Sequence, residues 1–262
     1  MLVSLRIQTC EARRINALMV APVILYHKID KPGPDSRVRG GFTPPVRFAR
    51  QMVYLKQQGF VFYTASELIE RFSAGGEFPA KAIAITFDDG WKDNYTNAFP
   101  VLRRLGIKVT IFLIPSCIGQ LSTKAVADGE EPRAHLSREE ILEMSATGIE
   151  FGSHSMNHRL LHELSRQEIK SEVEEAKQQI EDLTQKPCKT FAYPAGYYSD
   201  LAQRVIEEAG HIAAFSVTYG PTDHVDIYAL NRIEIFRRDR FSFQFARRVK
   251  PLRFPENGST SS

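Results

Sequence analysis

Two pairs of ionisable residues in this 262-residue chain each follow a short apolar segment. Residues 86–90 read Thr-Phe-Asp-Asp-Gly and end the apolar run of residues 82–87, which places two carboxylates side by side. Such neighbours repel each other unless a cation lies close to them. Further along, residues 154–158 read His-Ser-Met-Asn-His after the short apolar run of residues 149–151. An Asp with two His side chains is a ligand set for a divalent transition metal.

Each of these groups also has a purely structural interpretation. The adjacent aspartates precede a glycine, and Asp often begins a turn or caps a helix. The two histidines of residues 154–158 favour the metal interpretation over the turn. His27 is a lone histidine after a strand-like run, and such residues often lie at the rim of a fold without a chemical role. We expect surface or capping roles for the remaining histidines, His135, His162, His211 and His224.

The elements that must position these residues alternate between strands and helices. Apolar or β-rich runs predict seven strands, at residues 23–26, 60–63, 82–87, 108–114, 149–152, 190–193 and 212–217. The clearest helix between them begins at Ser165, which forms a predicted capping box with Glu168 and precedes a stripe of apolar residues. Similar capping boxes are predicted for Thr64 with Glu67 and for Ser137 with Glu140.

This alternation predicts an α/β fold, a single deformed (β/α) barrel of about seven parallel strands with surrounding helices. In such barrels, catalytic residues gather at the carboxyl ends of the strands. The predicted strands end at or just before His27, Asp88, His154 and Tyr193. We therefore expect these four positions to share one face of the molecule.

Length and composition fit one folded domain. Barrels of this kind commonly occupy about 250 residues, and contents of 43% hydrophobic and 25% charged residues are typical of a globular protein. We assign the barrel to residues 20–253, an N-terminal extension to residues 1–19 and a disordered tail to residues 254–262. The three cysteines are far apart and odd in number, so neither a disulfide framework nor a zinc finger is predicted.

No run of the sequence approaches the ~20 apolar residues of a membrane-spanning helix, so no transmembrane segment is predicted. Arg13 and Arg14 precede an apolar stretch in the manner of a secretory signal, but Pro22 interrupts that stretch and no small-residue cleavage site follows. We interpret its end as a strand. The sequence leaves open both the compartment, cytoplasmic or exported, and the oligomeric state.

Together, the motifs resemble the polysaccharide deacetylase family of carbohydrate esterases over about residues 20–236. The resemblance depends on three motifs in order: residues 86–90, residues 154–158 and residues 191–196, which read Phe-Ala-Tyr-Pro-Ala-Gly. Two further segments resemble the branch that includes poly-N-acetylglucosamine deacetylases: residues 22–27, Pro-Val-Ile-Leu-Tyr-His, and residues 228–233, Tyr-Ala-Leu-Asn-Arg-Ile.

The resemblance implies a metal-dependent hydrolase that removes N-acetyl groups from amino sugars of a polysaccharide or oligosaccharide and releases acetate. Asp89, His154 and His158 would hold a divalent metal, most simply zinc, with cobalt or nickel as alternatives. The metal would make water acidic and polarise the acetyl carbonyl. Asp88 would be the general base, and His27 is the candidate acid that protonates the departing amine.

A substrate wall is implied as well. Tyr193, Pro194 and the backbone of Ala195 and Gly196 would form one side of the groove, where a backbone N–H would help to hold the oxyanion. Trp91 follows the first motif directly. It would either stack on a sugar ring or pack in the core beneath the barrel rim.

Two positions depart from the family pattern. Many members carry Arg where Ala192 stands, and that Arg is expected to orient the base; we predict that Arg232 takes its place near Asp88. Ala195 replaces a larger, often aromatic residue, which predicts a wider groove. Neither change removes a predicted metal ligand.

The carboxyl end is rich in arginine with interleaved phenylalanines from Arg232 to Arg253. Such a pattern can bind nucleic acid or an anionic polymer. With a formal net charge of only +3, we interpret it as a terminal strand and helix whose phenylalanines pack on the barrel while the arginines face water. No nucleic-acid partner is predicted.

Two other hypotheses remain open beside the deacetylase. One is a catalytically weak glycan-binding protein on the same scaffold, because the base lacks its usual Arg. The other is a related hydrolase of acetyl esters or non-sugar amides. The absence of a Gly-Xaa-Ser-Xaa-Gly motif argues against serine catalysis.

Overall fold

The computed structural model describes residues 21–34, 36, 40–76, 78–122, 129, 131–217, 226–235, 245–247 and 249. Within these residues the strands are β1 (Val23–Tyr26), β2 (Val61–Tyr63), β3 (Ala82–Phe87), β4 (Thr110–Leu113), β5 (Glu150–Ser153), β6 (Thr190–Ala192), β7 (Ala213–Ser216), β8 (Leu230–Asn231) and β9 (Ile233–Glu234). The helices are α1 (Pro45–Gln57), α2 (Ala65–Ser73), α3 (Phe99–Leu105), α4 (Arg138–Ala146), α5 (Arg166–Thr184) and α6 (Asp200–Glu208), with a π-helical turn at Asn94–Ala98 leading into α3.

The strands form one sheet in the order β8-β7-β6-β5-β4-β3-β1-β9, and β2 pairs with β3 as well. All of these pairings are parallel. β8 and β9 lie at opposite ends of this order, yet only Arg232 separates them in the chain. The sheet therefore curves until its two edges nearly meet. The predicted α/β barrel of parallel strands with surrounding helices is confirmed.

All seven predicted strands are present, and two more were not predicted. β8 and β9 contain two residues each. A strand this short carries no period-2 pattern, because alternation needs at least four residues to be visible. The three predicted capping boxes, at Thr64, Ser137 and Ser165, are confirmed in both of their reciprocal hydrogen bonds.

Strand β3 shows how the sheet separates the barrel interior from the helices. Ile83 and Ile85 belong to the large core cluster that includes residues of α1, α3 and α4. Ala84, whose side chain points to the other face, packs with Ala192 and Phe112 in a second cluster. This second cluster fills part of the interior with a mixture of alanines and larger residues such as Phe112 and Phe215.

The amino end of the barrel is closed by helix α2. The Ala65 N–H donates to Thr110 Oγ1 at 2.7 Å, and both the N–H and the hydroxyl of Ser66 donate to Glu150 Oε2 at 3.1 Å. Thr190 donates to the other oxygen of the same carboxylate at 3.1 Å. With this end blocked, the loops at the carboxyl ends of the strands are left to form a site.

The predicted extension of residues 1–19 and the predicted tail of residues 254–262 lie outside the described residues, as does most of the basic carboxyl segment. Phe245 of that segment is buried, with its ring centroid 6.3 Å from that of Tyr54. A search of the described residues finds no helix with the length and apolar character needed to span a membrane.

Candidate active site

The loops at the carboxyl ends of β1, β3 and β5 bring the predicted chemical residues together. Parallel register places these strand ends at one level: Tyr26 pairs with Phe87 across β1 and β3, and Leu113 pairs with Ser153 across β4 and β5. His27, the two aspartates and His154 come directly after these strand ends. Their shared position follows from the parallel sheet.

Asp89, His154 and His158 converge on one point. Asp89 Oδ1 lies 3.6 Å from Nε2 of His154 and 3.6 Å from Nε2 of His158. One ligand atom from each residue lies within 4.8 Å of the other two, and no other such group of His, Cys, Asp or Glu occurs in the described part of the chain. Two zinc bonds of about 2.1 Å at a tetrahedral angle separate their donor atoms by about 3.4 Å. The triad therefore fits a single ion of this kind.

Backbone strain is concentrated at these ligands. Asp89 has φ 72°, Ser155 has φ 62° and His158 has φ 56°, all in the left-handed region. This conformation costs a non-glycine residue roughly 1–2 kcal/mol and persists only where the surroundings hold it. At Gly90, a Cβ would lie 2.7 Å from the Leu113 side chain. The Asp-Asp-Gly sequence thus forms a tight turn that directs the two carboxylates toward the histidines.

His154 is oriented by the neighbouring strand. Its Nδ1 lies 2.8 Å from the carbonyl oxygen of Ala192, at the end of β6, and its side chain is buried. A carbonyl oxygen can only accept, so Nδ1 carries the proton of this contact, and Nε2 is the nitrogen that faces Asp89. A backbone carbonyl that orients a histidine in this way is a common partner of metal-bound imidazoles.

The loop that carries His158 is fixed to helix α5 through Glu172. The buried Glu172 carboxylate accepts the Asn157 N–H at 2.8 Å and the Asn157 side-chain amide at 2.9 Å. The Met156 N–H donates to the Glu172 carbonyl oxygen at 2.9 Å. Sequence patterning does not reveal this role, since glutamates on a Glu-rich helix are expected to face solvent.

Asp88 forms a bidentate ion pair with Arg232. The guanidinium nitrogens lie 2.6 and 2.7 Å from the two carboxylate oxygens, and both side chains are buried. Burial acts to raise the pKa of Asp88, but the Arg232 cation, with His154 and His27, outweighs it and holds the pKa below its usual range. Arg232 thus lies where the missing Arg at position 192 was expected to act. Its location between β8 and β9 aims it into the barrel.

His27 lies near the same carboxylates and is about one quarter exposed. Its Nδ1 is 3.9 Å from Glu234 Oε1 on β9, and its carbonyl oxygen accepts the side-chain amide of Asn94 at 2.9 Å. The Asp88 N–H donates to the Tyr26 carbonyl oxygen at 3.0 Å, which places His27 beside the Asp88-Asp89 turn. Burial acts to raise the pKa of both aspartates, and neighbouring basic groups that include His27 hold these pKa values below their usual range. A partly exposed imidazole at this place can meet a substrate from the solvent side.

Two predicted substrate contacts are corrected by their burial. Trp91 is 6% exposed, and Tyr193 is fully buried, so neither ring offers a face to a sugar. The Tyr193 hydroxyl donates to the Tyr228 carbonyl oxygen at 2.8 Å. For Trp91, the alternative of packing beneath the rim is correct. The error has a physical cause, since an aromatic residue next to a motif packs under the strand ends as readily as it projects from them.

The remainder of the predicted wall, residues 194–196, forms a single turn after β6. Pro194 and Gly196 are buried, whereas Ala195 is exposed with φ 56°. Gly196 has φ 78°, and a Cβ there would lie 2.8 Å from the Val217 backbone nitrogen. Only glycine fits this position, so the turn has a fixed course.

The aromatic side chains that do reach solvent here follow that turn. Tyr197 is 61% exposed, and its ring centroid lies 5.4 Å from that of His162, on the segment after His158. Tyr198 is 38% exposed and contacts the Tyr193 ring. These two tyrosines were missed, although the Tyr-Tyr pair directly after the third motif was visible in the sequence.

Comparison with known proteins agrees with this geometry. A family model described as polysaccharide deacetylase matches residues 75–214. The putative polysaccharide deacetylase YxkH of Bacillus subtilis is 29% identical over 215 residues, covering 82% of this chain and 71% of that protein. A poly-β-1,6-N-acetyl-D-glucosamine N-deacetylase of Staphylococcus aureus is 31% identical over 184 residues, covering 65% of this chain and 59% of that protein. This match thus spans little more than half of the staphylococcal enzyme.

Among solved structures, IcaB from Ammonifex degensii has the same fold, with a TM-score of 0.74. The superposition covers 89% of this chain and 98% of that structure, at 22% sequence identity. At this identity the similarity concerns the fold.

Proposed function

This chain belongs to the polysaccharide deacetylase family, and from that premise we propose that it is a metal-dependent hydrolase that removes N-acetyl groups from amino sugars of a glycan. One observation carries the proposal. The candidate metal ligands Asp89, His154 and His158 have donor atoms within 4.8 Å of one another, and beside them lies the buried Asp88 carboxylate, which accepts from Arg232 at 2.6 Å. The family supplies the reaction class, and this constellation supplies groups suited to it.

Amide hydrolysis requires a nucleophilic water, a proton acceptor and a proton for the departing amine, because an amine anion is a poor leaving group. Asp88 is ionised throughout the neutral pH range, since its pKa is held low. A carboxylate of low pKa is a weak base, so the attacking water must be made more acidic, and a divalent ion held by Asp89, His154 and His158 supplies that acidity when bound. Arg232 keeps the Asp88 oxygens fixed in one orientation during the proton transfer.

His27 is our proposed acid. It follows β1 beside the Asp88-Asp89 turn, is partly exposed, and has Glu234 Oε1 3.9 Å from its Nδ1. A proton on His27 would pass to the sugar nitrogen as the carbon–nitrogen bond breaks, which yields acetate and the free amino sugar. We propose zinc as the ion, because one carboxylate and two imidazoles suit it, and cobalt or nickel can occupy the same set.

The substrate proposed is a glycan that contains N-acetylglucosamine. The staphylococcal relative is named for a polymer of this sugar, and exposed Tyr197 and Tyr198 follow the turn after β6. Aromatic side chains with one apolar face free can pack against a pyranose ring. The hypothesis of a binding protein without catalysis loses its basis, since the charge missing at Ala192 is provided by Arg232 at 2.6 Å from Asp88.

The test is acetate release from N-acetylglucosamine oligomers by the purified chain, after chelation and after addition of zinc or cobalt. We expect chelation to abolish release and metal to restore it. Asp88→Asn should reduce release by at least 100-fold, while Asp200→Asn, the same change at an exposed site on α6, should leave it intact.

The alternatives predict different results. Acetate release from O-acetyl sugars, with none from N-acetyl sugars, would show that the protein is an esterase and not an amidase. Retained oligomer binding with no release from either substrate, at one bound metal per chain, would identify a binding protein.

A further inference from the structure

Trp91, the single tryptophan of the chain, is bonded to a predicted metal ligand. Its Nε1–H donates to Asp89 Oδ2 at 2.8 Å. The other oxygen, Asp89 Oδ1, is the atom that lies 3.6 Å from both histidine nitrogens. One oxygen of the Asp89 carboxylate therefore accepts the indole N–H, and the other faces the two histidines.

The indole is held firmly in this position. The His135 ring stacks on it, with centroids 4.2 Å apart and planes inclined by 26°. The buried Lys28 ammonium lies 4.4 Å from the indole ring centre and 4.9 Å from that of Phe42, within cation–π range of both. Trp91 itself is 6% exposed. A side chain packed between such neighbours cannot turn away from Asp89 without disrupting them.

His135 also holds the backbone of the same ligand. Its Nδ1 lies 2.9 Å from the Asp89 carbonyl oxygen, and the Leu136 N–H donates to the Gly90 carbonyl oxygen at 2.8 Å. These contacts join the strained turn after β3 to the segment before α4. Residues 134–136 thus hold the main chain at Asp89 and Gly90 through hydrogen bonds, and Trp91 holds the Asp89 side chain.

We propose that Trp91 is a positioning residue for Asp89: by occupying Oδ2, its N–H makes Asp89 a ligand through Oδ1 alone. A carboxylate that binds through both oxygens takes an additional coordination position. Binding through one oxygen leaves that position open for the water and the acetyl group. The inference rests on the proposed metal site, and its test measures the metal directly instead of the deacetylation rate.

The main experiment removes the N–H and keeps an aromatic ring, with Trp91→Phe. Zinc affinity is measured by competition with a colorimetric chelator, and we expect a weakening of about 10–100-fold, as for loss of other groups that orient metal ligands. The visible absorption of the Co²⁺-loaded variant should be weaker than that of wild type, because d–d bands lose intensity as the coordination number rises. Tyr228→Phe is the matched control, since it deletes an aromatic donor to the His211 carbonyl oxygen and should leave both readouts unchanged.

A second measurement needs no variant. Because Trp91 is the only tryptophan, the tryptophan emission reports the surroundings of this one indole, and zinc titrated into the metal-free wild type should change it to saturation at one equivalent. Zinc binding as tight in Trp91→Phe as in wild type, with the same Co²⁺ spectrum, would overturn the inference alone. If Trp91→Phe fails to fold, the tryptophan emission of the wild type is the remaining test. A wild type that binds zinc with unchanged emission overturns the proposed role of Trp91. A wild type that binds no metal overturns the proposed function together with the inference.

Discussion

The ion pair of Asp88 and Arg232 places a buried anion and a buried cation in bidentate contact. Forming such a pair gives little net stability, because both charges lose their hydration; removing one partner is costly, because the other stays buried without compensation. The pair therefore contributes mainly by holding the base ionised and fixed in orientation.

We expect Arg232→Lys to lower kcat by about 10–100-fold with little change in KM, because an ammonium cannot reproduce the planar two-point contact. Zinc affinity, measured by chelator competition, should stay within a few-fold of wild type. Arg232→Met should instead destabilise the fold by about 3–5 kcal/mol, seen in urea unfolding. A lysine variant with full kcat would show that charge alone, without bidentate geometry, suffices.

Among the described residues, Tyr197 offers the most exposed aromatic ring at this end of the barrel. Tyr197→Ala should raise KM for N-acetylglucosamine oligomers about fivefold, since losing roughly 1 kcal/mol of apolar contact has that effect. Turnover at saturation and the thermal midpoint should not change. Tyr197→Phe, which keeps the ring, is the control and should behave as wild type. Equal KM values for the alanine variant and wild type would place the sugar chain elsewhere.

Helix α5 links packing to the site. Its apolar stripe, from Ile169 to Leu183, is buried as predicted, and the helix presents Glu172 to the loop of His158. A 19-residue helix packed along its length moves little, so a loop bonded to it inherits that rigidity. The strained φ of His158 is held in this way.

Replacing Glu172 should therefore loosen the loop that carries His158, a proposed metal ligand. Glu172→Ala should weaken zinc binding by about tenfold and lower the thermal midpoint, because the Asn157 N–H and side-chain amide lose their acceptor on α5. Glu172→Gln retains one acceptor oxygen and should fall between alanine and wild type. Isothermal titration with zinc gives the affinities, and an alanine variant that binds zinc normally would contradict the role of α5.

The stability of the whole molecule should depend on pH through Asp93, which joins the loop after β1 to the turn before α3. Its Oδ1 accepts the Ile29 N–H at 2.7 Å, and burial raises the pKa of Asp93 to about 7. Between the ordinary Asp pKa of about 4 and this value, the folded chain binds a proton that the unfolded chain does not. The folded state accordingly loses stability as the pH rises through this window.

Asp93→Asn removes this titration, so the variant should gain stability relative to wild type as the pH rises from 4 to 7. The expected slope of the difference is at most about 1.4 kcal/mol per pH unit. Comparing variant with wild type cancels the opposite contribution of buried His211, whose pKa is lowered to about 3 by burial. Urea unfolding at several pH values measures the effect, and a difference that is constant with pH would show that Asp93 is ionised throughout.

Much of this molecule was predictable from sequence because the signals are local. Strands of three or more residues, the three capping boxes and the apolar stripe of α5 depend on neighbouring residues along the chain. Asp89, His154 and His158 were also predictable, since each lies within a short motif at a strand end. The sequence by itself thus determined the barrel and the candidate metal triad.

The tertiary structure decided how side chains from distant segments contact one another across the barrel and which of them reach solvent. Arg232 is 144 residues from Asp88 in the chain. The family resemblance suggested their pairing, but the curvature of the sheet, which brings β8 and β9 together, is what places the guanidinium in bidentate contact with Asp88. Tyr193 was predicted to line the substrate groove and is instead buried; Trp91 is buried too, which is one of its two predicted alternatives, while Tyr197 is exposed. Contact across the barrel and the direction of a side chain depend on packing between distant segments, and no local pattern encodes either of them.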